Sequence, residues 1–125
     1  MTKTNTQAIQ WLSDVADHNY TAAASYLALL HSTEQVAEII AALKLSPIVA
    51  FKAKDIFRAS QLSLLGVSNF HVEKDRNKIH EGTALSPLLL LRDKQNSKVV
   101  IADGYHRLCA IYEFDEDALI QCKIV

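Results

Sequence analysis

Apolar side chains recur along residues 1–46 at the three- and four-residue spacing of amphipathic helices, and neither proline nor glycine interrupts the stretch. The pattern divides into three pieces, punctuated near Asn19 and at His31-Ser32. Ile9, Leu12 and Val15-Ala16 form the stripe of the first piece; Tyr26, Leu27, Leu29 and Leu30 supply the second. The third is the clearest, because Ser32 followed three residues later by Gln35 fits a capping box, and Val36, Ile39, Ile40 and Leu43 then share one face. These pieces predict an N-terminal helical extension over 1–46, anchored by Trp11, that packs on the core or presents an oligomer surface.

Beyond Ser46-Pro47 the period shortens. Ile48–Lys52 is a brief apolar, β-branched run ended by the polar Lys52-Ala53-Lys54-Asp55, which predicts a strand leaving a buried sheet. Asp55–Leu65 carries Ile56, Phe57, Leu62, Leu64 and Leu65 and fits either a short helix or an apolar loop closed by Gly66. Asn69 predicts the cap of a helix through about Glu81, with Val72, Asp75-Arg76 and Ile79 on one edge and Gly82 as its stop. Leu85–Arg92 and Lys98–Ala102 are near-continuous apolar runs around the polar turn Asp93–Ser97, hence a hairpin or adjacent strands. Leu108, Ile111 and Tyr112 predict a helix over Tyr105–Phe114, and Leu119–Val125 a final strand. The fold class is α/β (α+β), with one compact unit whose main domain spans 47–125.

Composition narrows the function classes. A chain of 125 residues, half of them hydrophobic, can bury one modest core. Thirteen basic residues against fourteen acidic ones leave a formal charge of −1, which removes the uniformly basic surface of non-specific DNA binders while allowing a local patch. No apolar run approaches a membrane span, and Met1–Trp11 lacks a basic-then-apolar leader, so a cytoplasmic protein is expected. Cys109 and Cys122 sit among apolar residues, as reduced thiols do; neither a disulfide nor a metal site is expected.

The chemistry concentrates in VVIADGYHR, Val99–Arg107. A strand passing through Asp103-Gly104 into a helix exposes backbone N–H groups at the helix start, where the dipole favours anions. Gly104 allows a tight turn and close approach, Asp103 can cap, and His106 and Arg107 offer donors to phosphate oxygens. The same residues also serve as plain turn and first-turn chemistry. An anion site explains cations in a first turn that the dipole otherwise disfavours, and the apolar strand before them reads as central to the sheet.

VVIADGYHRLCA resembles the signature of the ParB/sulfiredoxin-like superfamily, in which an apolar strand leads into Asp-Gly, a variable residue, His-Arg or Arg-Arg and a small-residue helix. Lys52–Ile56, the helix ending at Gly82 and Leu85–Leu90 resemble the order of elements in ParB N-terminal domains, so the likeness covers about Ile48–Val125. It implies a small mixed sheet with helices and phosphate or nucleotide contact by Asp103, Gly104, Tyr105, His106 and Arg107. ATP or CTP with Mg²⁺ is the implied ligand, with phosphoryl transfer or NTP hydrolysis as the implied chemistry. Where sulfiredoxin has its catalytic cysteine this chain has Tyr105, so thiol reduction is not implied, and Cys109, a turn deeper, reads as core. ParB proteins follow this domain with a helix-turn-helix, whereas the sequence stops at Val125 after its last strand; DNA binding or nicking is therefore an alternative rather than the main expectation. A non-catalytic association module using the stripes of Gln7–Leu45 is the other.

Further residues are weaker candidates. Lys52 and Lys54 point to one side if both lie on a strand, toward a ligand or merely guarding an edge. Arg58 and Ser60 follow where related domains place ligand contacts. His71, Lys74, Asp75 and Lys78 share helix faces and can close over a nucleotide or lie on the surface; Glu73 or Asp75 can serve as a base or hold Mg²⁺. His18, His31 and His80 fall near helix ends and need no functional role.

Overall fold

A computed structural model describes residues 8–64 and 69–125. The closure of the apolar segment at Leu65-Gly66, and the part of Met1–Trp11 before Ala8, lie outside the described residues. Among the described residues, five helices and four strands follow in the order α1 (Asp17–Leu27), α2 (Thr33–Leu45), β1 (Val49–Lys52), α3 (Ala53–Ser60), α4 (Phe70–Glu81), β2 (Leu88–Asp93), β3 (Lys98–Asp103), α5 (Tyr105–Phe114) and β4 (Leu119–Ile124). The strands form one mixed sheet in the order β1-β4-β2-β3, with β2 parallel to β4 and the other neighbours antiparallel. None of the described helices is long and apolar enough to cross a membrane.

Alternation along the strands creates two cores. Leu88 and Leu90 of β2, with Ile101, Ile120 and Cys122, face Ile56 of α3, Val72 and Ile79 of α4, and Leu108 and Ile111 of α5. Leu89, with Ala102 and Val100, faces the other way, onto Tyr20, Ala23 and Leu27 of α1 and Val36 and Leu43 of α2. The sheet is thus sandwiched between two helical layers, and the run of leucines in β2 is the signature of a strand buried on both faces.

Local signals decide several boundaries. The Ser32 hydroxyl accepts from the Gln35 N–H at 3.2 Å while the Gln35 side chain accepts from the Ser32 N–H at 3.0 Å, closing the capping box of α2. The Asn69 carboxamide accepts from His71 and Val72, and Gly82 at φ 75° stops α4 in the left-handed region. Of the segment left open between helix and loop, the part through Ser60 belongs to α3, which buries Ala53, Ile56 and Ser60, while 61–64 are not helical.

Three expectations change. Residues 8–16 form no helix: Trp11 pairs in a parallel bridge with Leu85, the Leu12 N–H donates to the Leu85 carbonyl and the Leu85 N–H to that of Gln10, both at 2.8 Å. Ile9 and Trp11 consequently pack inward with period two while Leu12 turns outward. Nor is there a break at Asn19, which is buried inside α1; that helix ends at Leu27, leaving Leu29 and Leu30 exposed. Finally, β3 is an edge strand rather than a central one. Its apolar character comes from α1 on one face and α3 on the other, not from strands on both sides.

One buried charge ties the N-terminal layer to the sheet. Lys123 of β4 has a side chain only 6% exposed, and its ammonium donates to the Lys44 carbonyl at 3.1 Å and lies 3.4 Å from Asp14. Burial works against the charge, but the Tyr20 hydroxyl and Asp14 outweigh it and raise the pKa above the usual lysine value.

Because Leu89 bears on the N-terminal layer, Leu89→Ala should cost about 3 kcal/mol by the usual large-to-small penalty in a packed core. Chemical denaturation monitored by circular dichroism measures it.

Candidate functional site

The transition from β3 to α5 depends on one glycine. Gly104 holds φ 111° and ψ 14°, and a Cβ there would stand 2.6 Å from the Leu88 Cγ and 3.0 Å from the Arg107 Nη2. Both the backbone angle and the close approach exclude a larger residue.

Asp103 does not cap the helix, and among the described residues α5 has no side-chain cap. Its carboxylate instead accepts from the Arg107 Nη2 at 2.9 Å, one turn on, with each side chain 16% exposed. The dipole end of α5 is therefore left to its backbone: the first intrahelical bond is from the Leu108 N–H to the Gly104 carbonyl, and the N–H groups of Tyr105, His106 and Arg107 precede it. The buried Arg107 Nε has no hydrogen-bond partner among the described residues. The Tyr105 hydroxyl donates to the Ser63 carbonyl, and burial raises the phenol's pKa, with Cys109 beside it adding to the effect.

The turn faces α4 across a cavity of about 190 Å³. From α4 come His71, Lys74, Asp75 and Lys78, brought to one side by their three- and four-residue spacing, and the opposite wall is Asp103–Arg107. The rings of His71 and His106 lie 4.9 Å apart at 41°, and the Lys78 ammonium is 3.9 Å from Asp75. Lys74, Lys78 and Arg107 outnumber Asp75 and Asp103 by one charge, before either imidazole is protonated.

Two titratable groups feel this environment. Burial lowers the pKa of His106, with His71 and Arg107 adding to it and Asp75 opposing, so the imidazole is neutral near pH 7. Burial raises the pKa of Asp75, against the pull of Arg107, Lys78, His106 and Lys74.

Of the weaker sequence candidates, His71, Lys74, Asp75 and Lys78 line the cavity, whereas Lys52, Lys54, Arg58 and Ser60 lie elsewhere. Lys54 is 2.8 Å and Lys52 4.0 Å from Asp117, because α3 begins at Ala53 and takes Lys54 off the strand. Arg58 is 87% exposed and 3.7 Å from Asp55. The Ser60 hydroxyl donates to the Phe57 carbonyl and accepts from the Leu62 N–H. Asp75 and Lys78 complete the α4 wall, whereas Glu73 does not line it; helical spacing alone cannot say which of two charged faces turns toward the motif. Cys109 and Cys122 are both buried, and burial lifts the Cys122 thiol to about 11.

Comparison with protein-family models, curated proteins and solved structures finds no match to this chain.

Two outcomes test the geometry. Gly104→Ala should destabilise the fold by about 3 kcal/mol, combining left-handed backbone strain with overpacking against Leu88. The pH profile tests His106: its folded pKa lies below the unfolded 6.5, so the unfolded chain binds the proton first. Stability is therefore greatest above pH 6.5 and falls as the pH drops from there to the folded value. His106→Gln should flatten that part of a stability profile taken by urea denaturation.

Proposed function

We propose that this chain is a nucleotide- or phosphate-binding domain of ParB/sulfiredoxin-like type. The observation that carries the reading is the cavity at the uncapped start of α5, where backbone N–H groups and four basic side chains, His71, Lys74, Lys78 and Arg107, converge with His106. A phosphoryl group there receives hydrogen bonds from the first turn and charge from α4. Arg107 is held in place by Asp103, so it is a preorganised donor rather than a free surface arginine.

ATP or CTP with Mg²⁺ is the ligand that the sequence likeness implies. The ion would arrive on the phosphates, since no group of three His, Cys, Asp or Glu side chains gathers among the described residues. Binding is the core of the proposal; hydrolysis or phosphoryl transfer would require a base, and the neutral His106 is the group placed to take a proton. A cytoplasmic setting belongs to the same reading. A second reading, self-association through the N-terminal layer, draws on Leu29 and Leu30, exposed at 81% and 53%.

Titration calorimetry with ATP, CTP and GTP in the presence of Mg²⁺ tests the binding. Lys74→Ala and Arg107→Ala should each weaken it by about tenfold, the loss of one charge-assisted hydrogen bond. No heat with any nucleotide, or undiminished affinity in both variants, would overturn the reading.

A further inference from the structure

α3 covers only part of the sheet face on which it packs. Beside it runs a cavity of about 250 Å³ whose floor takes Phe51 from β1, Ile124 from β4, Leu90 from β2 and Val99 from β3, so every strand contributes. Ile56 and Ala59, three residues apart on α3, form its wall. The floor crosses the sheet in the order β1-β4-β2-β3, three interstrand spacings or about 14 Å. Phe51 is 40% exposed and Val99 and Ile124 are half-buried, so the strip is open to solvent.

Arg92 is the cation on this floor. It follows Leu90 by two residues and pairs with Val99, which puts its side chain on the same face. Burial lifts the pKa of the Cys122 thiol on that face and the Arg92 guanidinium pulls against it, so the charge lies over the sheet. Among the described residues Arg92 makes no ion pair. The carboxylate of the adjoining Asp93 is taken up by Asn96 at 2.8 Å. Asp55, the acid on the wall, belongs to the first turn of α3, next to β1, and lies 3.7 Å from Arg58. The cavity is therefore cationic toward the β2–β3 turn and apolar toward β1.

We infer that this cavity binds a straight-chain carboxylic acid, its alkyl chain lying across the four strands and its carboxylate on Arg92. Each part of that ligand answers one feature of the floor. Hydrocarbon laid on the strip removes Phe51, Val99 and Ile124 from water. With C–C bonds of about 1.5 Å, an extended chain of about ten carbons matches the width of the sheet. The planar guanidinium offers two parallel N–H donors to a carboxylate, whereas an uncharged hydrocarbon would leave it without a partner. A cavity of about 250 Å³ lies below the roughly 300–1,000 Å³ of pockets for drug-sized ligands, so it suits a single chain rather than a fused-ring lipid. The site shares no lining residue with the cavity between α4 and the start of α5, and the inference stands independently of the phosphate reading.

Titration calorimetry on the full chain with hexanoate, octanoate, decanoate and decanol tests it. Affinity for the acids should rise about two- to fourfold with each added CH₂, as the chain buries more of itself. Decanol should bind about tenfold more weakly than decanoate, having lost the charge-assisted hydrogen bond. Arg92→Gln, at an exposed position, should erase that difference and leave decanol binding unchanged, which also shows that the variant is folded. Ala59→Phe fills the cavity from α3 and should abolish binding of both; urea denaturation reports whether it folds, and if it does not the Arg92→Gln comparison decides alone. No binding of decanoate to the wild type, an affinity independent of chain length, or a preference over decanol that survives Arg92→Gln would overturn the inference. So would a dimer in light scattering that Ala59→Phe dissociates while decanoate does not bind, since the strip would then belong to a second copy of the chain.

Discussion

Leu88, Leu89 and Leu90 sit in a strand from which water is excluded on both faces, and the rest of the molecule is arranged to achieve that exclusion. A strand so apolar cannot be covered by one layer of helices. The three helices α3, α4 and α5 bury Leu88 and Leu90, and α1 with α2 must bury Leu89. Each such side chain contributes about 1.5–3 kcal/mol when fully removed from water, so the N-terminal layer is part of the core and not an accessory. Lys123 follows from the same constraint: its strand position points into the N-terminal layer, and the Lys44 carbonyl, Tyr20 and Asp14 are what make a cation tolerable there.

Fold and candidate site meet at one contact. The Leu88 side chain lies where a Cβ of residue 104 would stand, so the strand that organises the core also demands glycine at the turn. The positive φ of Gly104 then aims the start of α5 at α4, and the Asp103–Arg107 ion pair bridges the turn. With Asp103 spent on Arg107, no side chain among the described residues caps the first helical turn. The anion-attracting end of the helix stays open because its expected cap has another partner.

Electrostatics around the cavity are finely offset. Two carboxylates lie among three permanent cations and two imidazoles, and burial pushes His106 and Asp75 both toward their neutral forms. A negative ligand reverses the balance for the histidine: it favours the imidazolium that burial opposes, and so couples binding to proton uptake.

Short-range chemistry was legible in the chain. The Ser32–Gln35 box, the Asn69 cap, the Gly82 stop, the leucine-rich hairpin and the Asp-Gly turn into α5 each rest on neighbours a few residues apart, and the sequence determined them. Tertiary structure decided the remainder. Ile9, Leu12 and Val15 fit a helical period and Ile9 and Trp11 an alternating one, and only pairing with Leu85, some seventy residues away, makes the segment extended. An apolar strand reads as central whether strands or helices bury it, and packing by α1 and α3 put β3 at an edge. For the candidate site, the sequence by itself determined the glycine turn and its basic first residues, because backbone angle and local charge are properties of adjacent residues. Which face of α4 meets that turn, whom Asp103 binds and that all four strands floor a second cavity are settled only when distant segments share one core, since burial is a property of the whole chain.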